Sequence, residues 1–116
     1  MANAVVRVHS QHTGRGPTRA QVYTWRNVVI AVMRDAMTKG ERSLAKAGHG
    51  DAALRTRRGL QETMRHDLVT SIEQLTGCQV IALLSDNRLE PDIGVQLFVL
   101  DRVPDPEGSG TSPEPA

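Results

Sequence analysis

The chain has 116 residues, 39% hydrophobic but only 3% aromatic, with 14 basic against 13 acidic side chains. That length bounds it to one domain with a modest core of Val, Ile, Leu, Met and Ala. So few aromatics argue against stacking of single-stranded nucleic acid, and a formal charge of +1 falls short of the basic stripe of a dedicated DNA binder.

The single cysteine, Cys78, excludes an intrachain disulfide and suits a reducing compartment. No apolar run approaches the roughly 20 residues of a membrane span, and the N-terminus lacks the basic-then-apolar pattern of a secretory signal. These features predict a cytoplasmic protein that reaches a membrane only through a partner.

Residues 2–13 read as a short helix whose apolar side carries Val5 and Val8. β-Branched residues are poor helix formers, so packing must hold it. Gly14 is a natural stop. Residues 19–25 alternate and 28–35 are β-branched, which predicts a hairpin turning at Arg26-Asn27. Thr38 and Glu41 fit a capping box opening a second helix, with Leu44, Ala45 and Ala47 as its apolar side.

Asp51 is placed to cap a third, long helix over residues 51–76. Its apolar stripe is Leu60, Met64, Leu68, Ile72 and Leu75. Gly59 costs about 1 kcal/mol there relative to alanine and predicts close packing. Thr76-Gly77 ends that helix. Residues Val80–Leu84 and Ile93–Leu100 then form a second hairpin across a polar turn. From Val103 the composition changes to Pro, Gly, Ser and acids. Residues 103–116 carry three acids and no base, which leaves net +4 on residues 1–102. The reading is a single domain, 1–102, and a disordered acidic tail, 103–116.

The order α-β-β-α-α-β-β contains an echo, because each hairpin follows a helix that ends in Thr-Gly. Two such units predict an α+β fold with one four-stranded antiparallel sheet, packed with the long helix and two shorter ones. The long helix covers one face. Val29, Ala31, Met33 and Phe98 are assigned to the other, which is apolar and needs cover from a helix face or a second subunit; a homodimer is expected.

The candidate ligand- or partner-binding residues are Gly14, Arg15, Gly16, Pro17 and Arg19. The loop could offer backbone N–H groups to an anion, with the two arginines adding charge. It is not a Walker loop, having no Gly-Lys-Ser/Thr, and it runs from helix to strand, the reverse of a dinucleotide fingerprint. Gly14 and Gly16 stand one residue apart, not two as in a Gly-x-x-Gly nucleic-acid clamp; a nucleic-acid regulator or a small-ligand sensor is the alternative that loop leaves open. His9 and His12, three apart on a helix, lack a third ligand, so no metal or other cofactor is expected. Glu62, His66 and Asp67 read as ion pairs on a mixed helix surface. Arg55, Arg57 and Arg58 read as a solvated helix face, and Cys78 as a small buried residue. No catalytic arrangement is found, so the chain is read as non-enzymatic.

Taken together, Gly14-Arg15-Gly16-Pro17-Thr18, Val28-Val29-Ile30, Leu75-Thr76-Gly77, Leu84-Ser85-Asp86, Pro91-Asp92-Ile93 and Phe98-Val99-Leu100 resemble the MpsC (YbcI-like) family of small bacterial proteins. The resemblance spans roughly residues 3–102. It implies a role beside membrane transporter subunits in a membrane-potential-generating, cation-linked system tied to uptake of dissolved inorganic carbon. This chain would be an accessory or regulatory subunit, not the ion conduit. Its turn Trp25-Arg26-Asn27 departs from the more acidic turn expected of relatives.

Overall fold

The computed structural model describes residues 1–105 and the backbone of Glu114–Pro115. Its elements are α1 (Ala2–Thr13), β1 (Arg19–Trp25), β2 (Val28–Arg34), α2 (Lys39–Lys46), α3 (Gly50–Thr76), β3 (Val80–Arg88), β4 (Ile93–Leu100) and β5 (Glu114–Pro115). The expected α-β-β-α-α-β-β order is therefore present, and the fold is α+β.

Each hairpin pairs antiparallel, and β2 joins β4, so the four long strands run in the order β3-β4-β2-β1. The two-residue β5 adds at the β1 edge, opposite Gln21 and Val22. The expected tail begins with Val103–Asp105, where Pro104 is buried; residues 106–113 and 116, on which most of that expectation falls, lie outside the described residues.

Packing explains why α1 holds despite its valines: Val5 and Val8 are buried, and the helix lies on α3 and β1. The core sits between α1, α3 and one face of the sheet. Val22, Val29, Met33 and Phe98 meet Met64, Leu68 and Ile72 there, all almost fully buried. Burying a side chain of this size contributes about 1.5–3 kcal/mol. Gln96 is buried on the same face, and neither of its amide atoms has a partner among the described residues.

Four local expectations are corrected. Val29, Ala31, Met33 and Phe98 belong to the helix-covered face; the open face carries Val28, Ile30, Val32, Val95, Leu97 and Val99. Val28 to Met33 is apolar at every position, so alternation within β2 cannot tell the two sides apart. The cap of α3 is His49, with no side-chain hydrogen bond, and Asp51 lies inside the first turn. Its buried stripe runs Ala53, Arg57, Met64, Leu68, Ile72, Thr76, while Leu75 is 41% exposed. Gly59 is exposed, and a Cβ there would meet nothing within 4 Å, so it marks no close packing.

Candidate functional site

The Thr13–Thr18 loop starts as a helix exit. Gly14 takes φ 75 and donates its N–H to Ser10 O at 3.0 Å. That left-handed conformation is one glycine adopts without strain. Thr13 Oγ1 lies 2.8 Å from His9 O and accepts from Arg15 N at 3.3 Å. Gly16 then brings the chain against α1, where a Cβ would stand 2.6 Å from Ser10 Oγ and 3.1 Å from Val6 Cγ1. Pro17 is buried.

Arg15 reaches across to the segment between β2 and α2. Its Nη1 donates to Asp35 O at 2.8 Å and Met37 O at 2.7 Å, and its Nη2 to Asp35 Oδ2 at 2.9 Å. Asp35 is a non-glycine residue at φ 56. Such a residue persists only where its surroundings hold it. Here Arg15 grips its carbonyl and carboxylate, and its N–H donates to Asp92 O at 3.1 Å.

Arg42 of α2 contacts the other Asp35 oxygen and lies 3.6 Å from Asp92 Oδ2. Asp92 Oδ2 in turn accepts from Met37 N at 3.1 Å. Two arginines and two aspartates thus tie together the loop after α1, the segment after β2, the helix α2 and the β3–β4 turn. Their side chains are half-exposed, Asp92 less so.

A second pair lies deeper. Glu41 closes the expected capping box: Thr38 Oγ1 accepts from Glu41 N at 3.3 Å, and Glu41 Oε1 accepts from Thr38 N at 3.0 Å. Glu41 also takes Arg57 in a fork, Nε to Oε2 at 2.9 Å and Nη2 to Oε1 at 2.8 Å. Arg57 Nη2 additionally donates to Ala36 O at 2.8 Å. The side chains are 1% and 4% exposed. Arg57 was read with Arg55 and Arg58 as a solvated face, and the structure corrects this. A signal existed, since Arg57 falls on the buried stripe between Ala53 and Leu60.

The two α1 histidines take separate partners. Buried His9 donates from Nδ1 to Val5 O at 2.9 Å. Burial, above all, lowers its pKa below the usual 6.5; the hydrogen bond to Val5 opposes this, and the charge of Arg57 acts with burial. His12 Nε2 stands 2.8 Å from Asp67 Oδ2. Among the described residues no group of three or more His, Cys, Asp or Glu could hold a metal ion.

Beside the exposed cluster opens a cleft of about 540 Å³ between α2 and the β3–β4 turn. Arg42, Lys46 and Glu90 line it together with Met37, Leu89 and Pro91. Its ionisable lining is Asp35, Glu90 and Asp92 with Arg42 and Lys46. It can hold a mixed polar and apolar group and orient it by charge.

Of the five sequence candidates, the structure brings four together. Gly14, Gly16 and Pro17 shape the loop, and Arg15 anchors the cluster bordering the cleft. Arg19 is elsewhere: it pairs with Arg34 in the strand register and is exposed on the open sheet face. Sequence reasoning missed Asp35, Arg42 and Asp92, which are distant in the chain and follow no local spacing rule.

Among the described residues no helix is long and apolar enough to cross a membrane. The family described as "Na+-translocating membrane potential-generating system (MpsC)" matches residues 1–102. The chain is also 25% identical over 91 residues to Uncharacterized protein YrhF of Bacillus subtilis (strain 168), covering 77% of this chain and 75% of that protein. No solved structure matches the chain.

Proposed function

This chain belongs to the MpsC family, and from that premise we propose that it is a non-enzymatic accessory or regulatory subunit of a cation-linked membrane-potential-generating system. The match over residues 1–102 carries the reading. Other subunits supply the ion path, and this one works at the cytoplasmic side through contact with them. Uptake of bicarbonate is the transport process to which the system is coupled.

The cleft supports a contact role. Its mixed charges and apolar lining fit a projecting segment of a membrane partner. Affinity capture from native membranes tests this. The full chain should retain a multi-span transport protein, and Lys46→Glu with Arg42→Glu should lose it while keeping the native circular dichroism. Recovery of no transport component by the unaltered chain refutes the reading.

The size of the cleft also favours a second role, as a small-ligand sensor. Thermal-shift titrations with bicarbonate and sodium salts test it. A saturable rise in Tm that Lys46→Glu abolishes supports the sensor; no rise with either ion removes it for those ligands.

A further inference from the structure

The open face of the sheet is ordered in a way that specifies its occupant. Its rows follow from the pairing register. Ala82, Val99, Val28 and Trp25 make the first, and Leu84, Leu97, Ile30 and Tyr23 the second. In the third, Val95 and Val32 are flanked by Asp86 and Gln21; in the fourth, Arg88 and Arg19 stand at the edges. The first two rows are therefore apolar across all four strands, and charge enters only in the third and fourth. Trp25 is 70% exposed and Leu84 60%, so the apolar rows reach solvent at both edges.

We propose that this face is the interface with a second copy of the chain, related by a two-fold axis parallel to the strands and passing between β4 and β2. That axis exchanges the edges and keeps each row opposite itself. Large then meets small or like: Trp25 faces the second copy's Ala82, Tyr23 its Leu84, and Ile30 its Leu97 near the axis. Gln21 meets Asp86 as donor to carboxylate. The arginine row lies at one rim, where Arg19 and the second copy's Arg88 are like charges kept apart and hydrated by water. Two aligned sheets stacked about 10 Å apart pack this way.

The other two-fold lying in the face, perpendicular to the strands, is disfavoured by desolvation. It would set Arg19 over Trp25, Arg34 over Val28 and Arg88 over Ala82, removing three guanidinium groups from water without a carboxylate partner. The area is that of a small, reversible interface. Strands spaced ~4.8 Å apart and rising ~3.3 Å per residue make a plate of roughly 400–450 Å² in projection. Side-chain relief enlarges it, but it stays below the ~800 Å² per partner of a standard interface.

The test is sedimentation equilibrium on the full chain, with variants that separate the interface from the fold. The unaltered chain should be dimeric at micromolar concentration. Ile30→Lys should raise the dimer dissociation constant at least about thirtyfold with unchanged circular dichroism. Gln21 and Asp86 lie on β1 and β3, with β2 and β4 between them in one sheet, so a charge at position 21 meets Asp86 only across the interface. Gln21→Arg should tighten the dimer about threefold to tenfold, Gln21→Asp should loosen it similarly, and Asp86→Lys added to Gln21→Asp should restore it. These two positions are at the surface and keep the test valid if Ile30→Lys fails to fold. A monomer at every concentration, a dimer indifferent to Ile30→Lys, or Gln21 variants without effect would overturn the proposal. So would a monomer that uses this face only for a different protein or for lipid vesicles.

Discussion

Glu41 and Arg42 are neighbours in the chain yet belong to opposite kinds of charge cluster. Glu41 turns inward and is 1% exposed, locked to Arg57. Arg42 turns outward and is 43% exposed, sharing Asp35 and Asp92 with the loop that carries Arg15. The chemistry is the same, carboxylate against guanidinium, and burial sets the consequence. A buried pair stabilises its native geometry mainly by what its loss would cost, because an abandoned partner is left charged in a low-dielectric site. An exposed network is screened, contributes little, and can exchange its partners for those of another molecule. The inner pair fixes where α2 sits on α3; the outer cluster borders the cleft and is the one free to respond to a ligand.

The largest expected break in that comparison is Arg57→Ala. It leaves Glu41 buried and unpaired and should cost about 3–5 kcal/mol in urea unfolding; a loss below ~1 kcal/mol would place the pair with the exposed cluster after all. The double variant Glu41→Leu with Arg57→Met should recover much of that loss.

Next comes Gly16→Val, whose side chain has no room between Ser10 and Val6. It should cost about 1–3 kcal/mol, and equal losses of stability and partner binding would make the loop architecture alone.

A pH series sharpens the contrast further, because His9 is inside and beside Arg57. With its folded pKa below 6.5, the unfolded chain takes up the proton first. Stability is full above pH 6.5, and falls as pH is lowered below that value until the folded histidine also titrates. His9→Gln should flatten this slope in denaturant midpoints read between pH 8 and 5.

Arg42→Ala should give the smallest effect, at most about 1 kcal/mol, and the difference should fade in ~1 M salt. A salt-insensitive loss of several kcal/mol would mean that the outer cluster is structural too.

Much of the fold was legible because its signals are local. Thr38 and Glu41 announced the start of α2 and supplied half of the buried pair. The two Thr-Gly steps announced two helix ends, and they are alike in detail. Thr13 and Thr76 each place Oγ1 2.8 Å from the carbonyl four residues back, and Gly14 and Gly77 take φ 75 and 70. The first exit differs in its surplus of Arg15, Gly16 and Pro17, and the structure uses that surplus as a clamp on Asp35.

What stayed illegible was long-range. Nothing near Arg15 in the chain names a residue twenty positions on, and Arg57 was masked by flanking arginines that do face water. The identity of the open sheet face was recoverable. A two-residue turn pairs Trp25 with Val28, which puts Val32 on the side of Gln21 and leaves Ala31 with Val22. Register carried the information that β2 alone withheld.

The irregular register between Val80 and Ala82 reaches beyond its own strand. β3 is the free edge of the sheet, and a straight edge can recruit further strands without end. Here Ile81 is inserted as an extra residue, 65% exposed, and it interrupts the unpaired backbone that a newcomer would have to match. At the far edge Glu114–Pro115 already occupies the backbone opposite Gln21 and Val22. Growth sideways is therefore obstructed at both margins while the flat of the sheet stays open. Under the proposed pairing of two copies, the sheet would be closed on every side that could otherwise propagate.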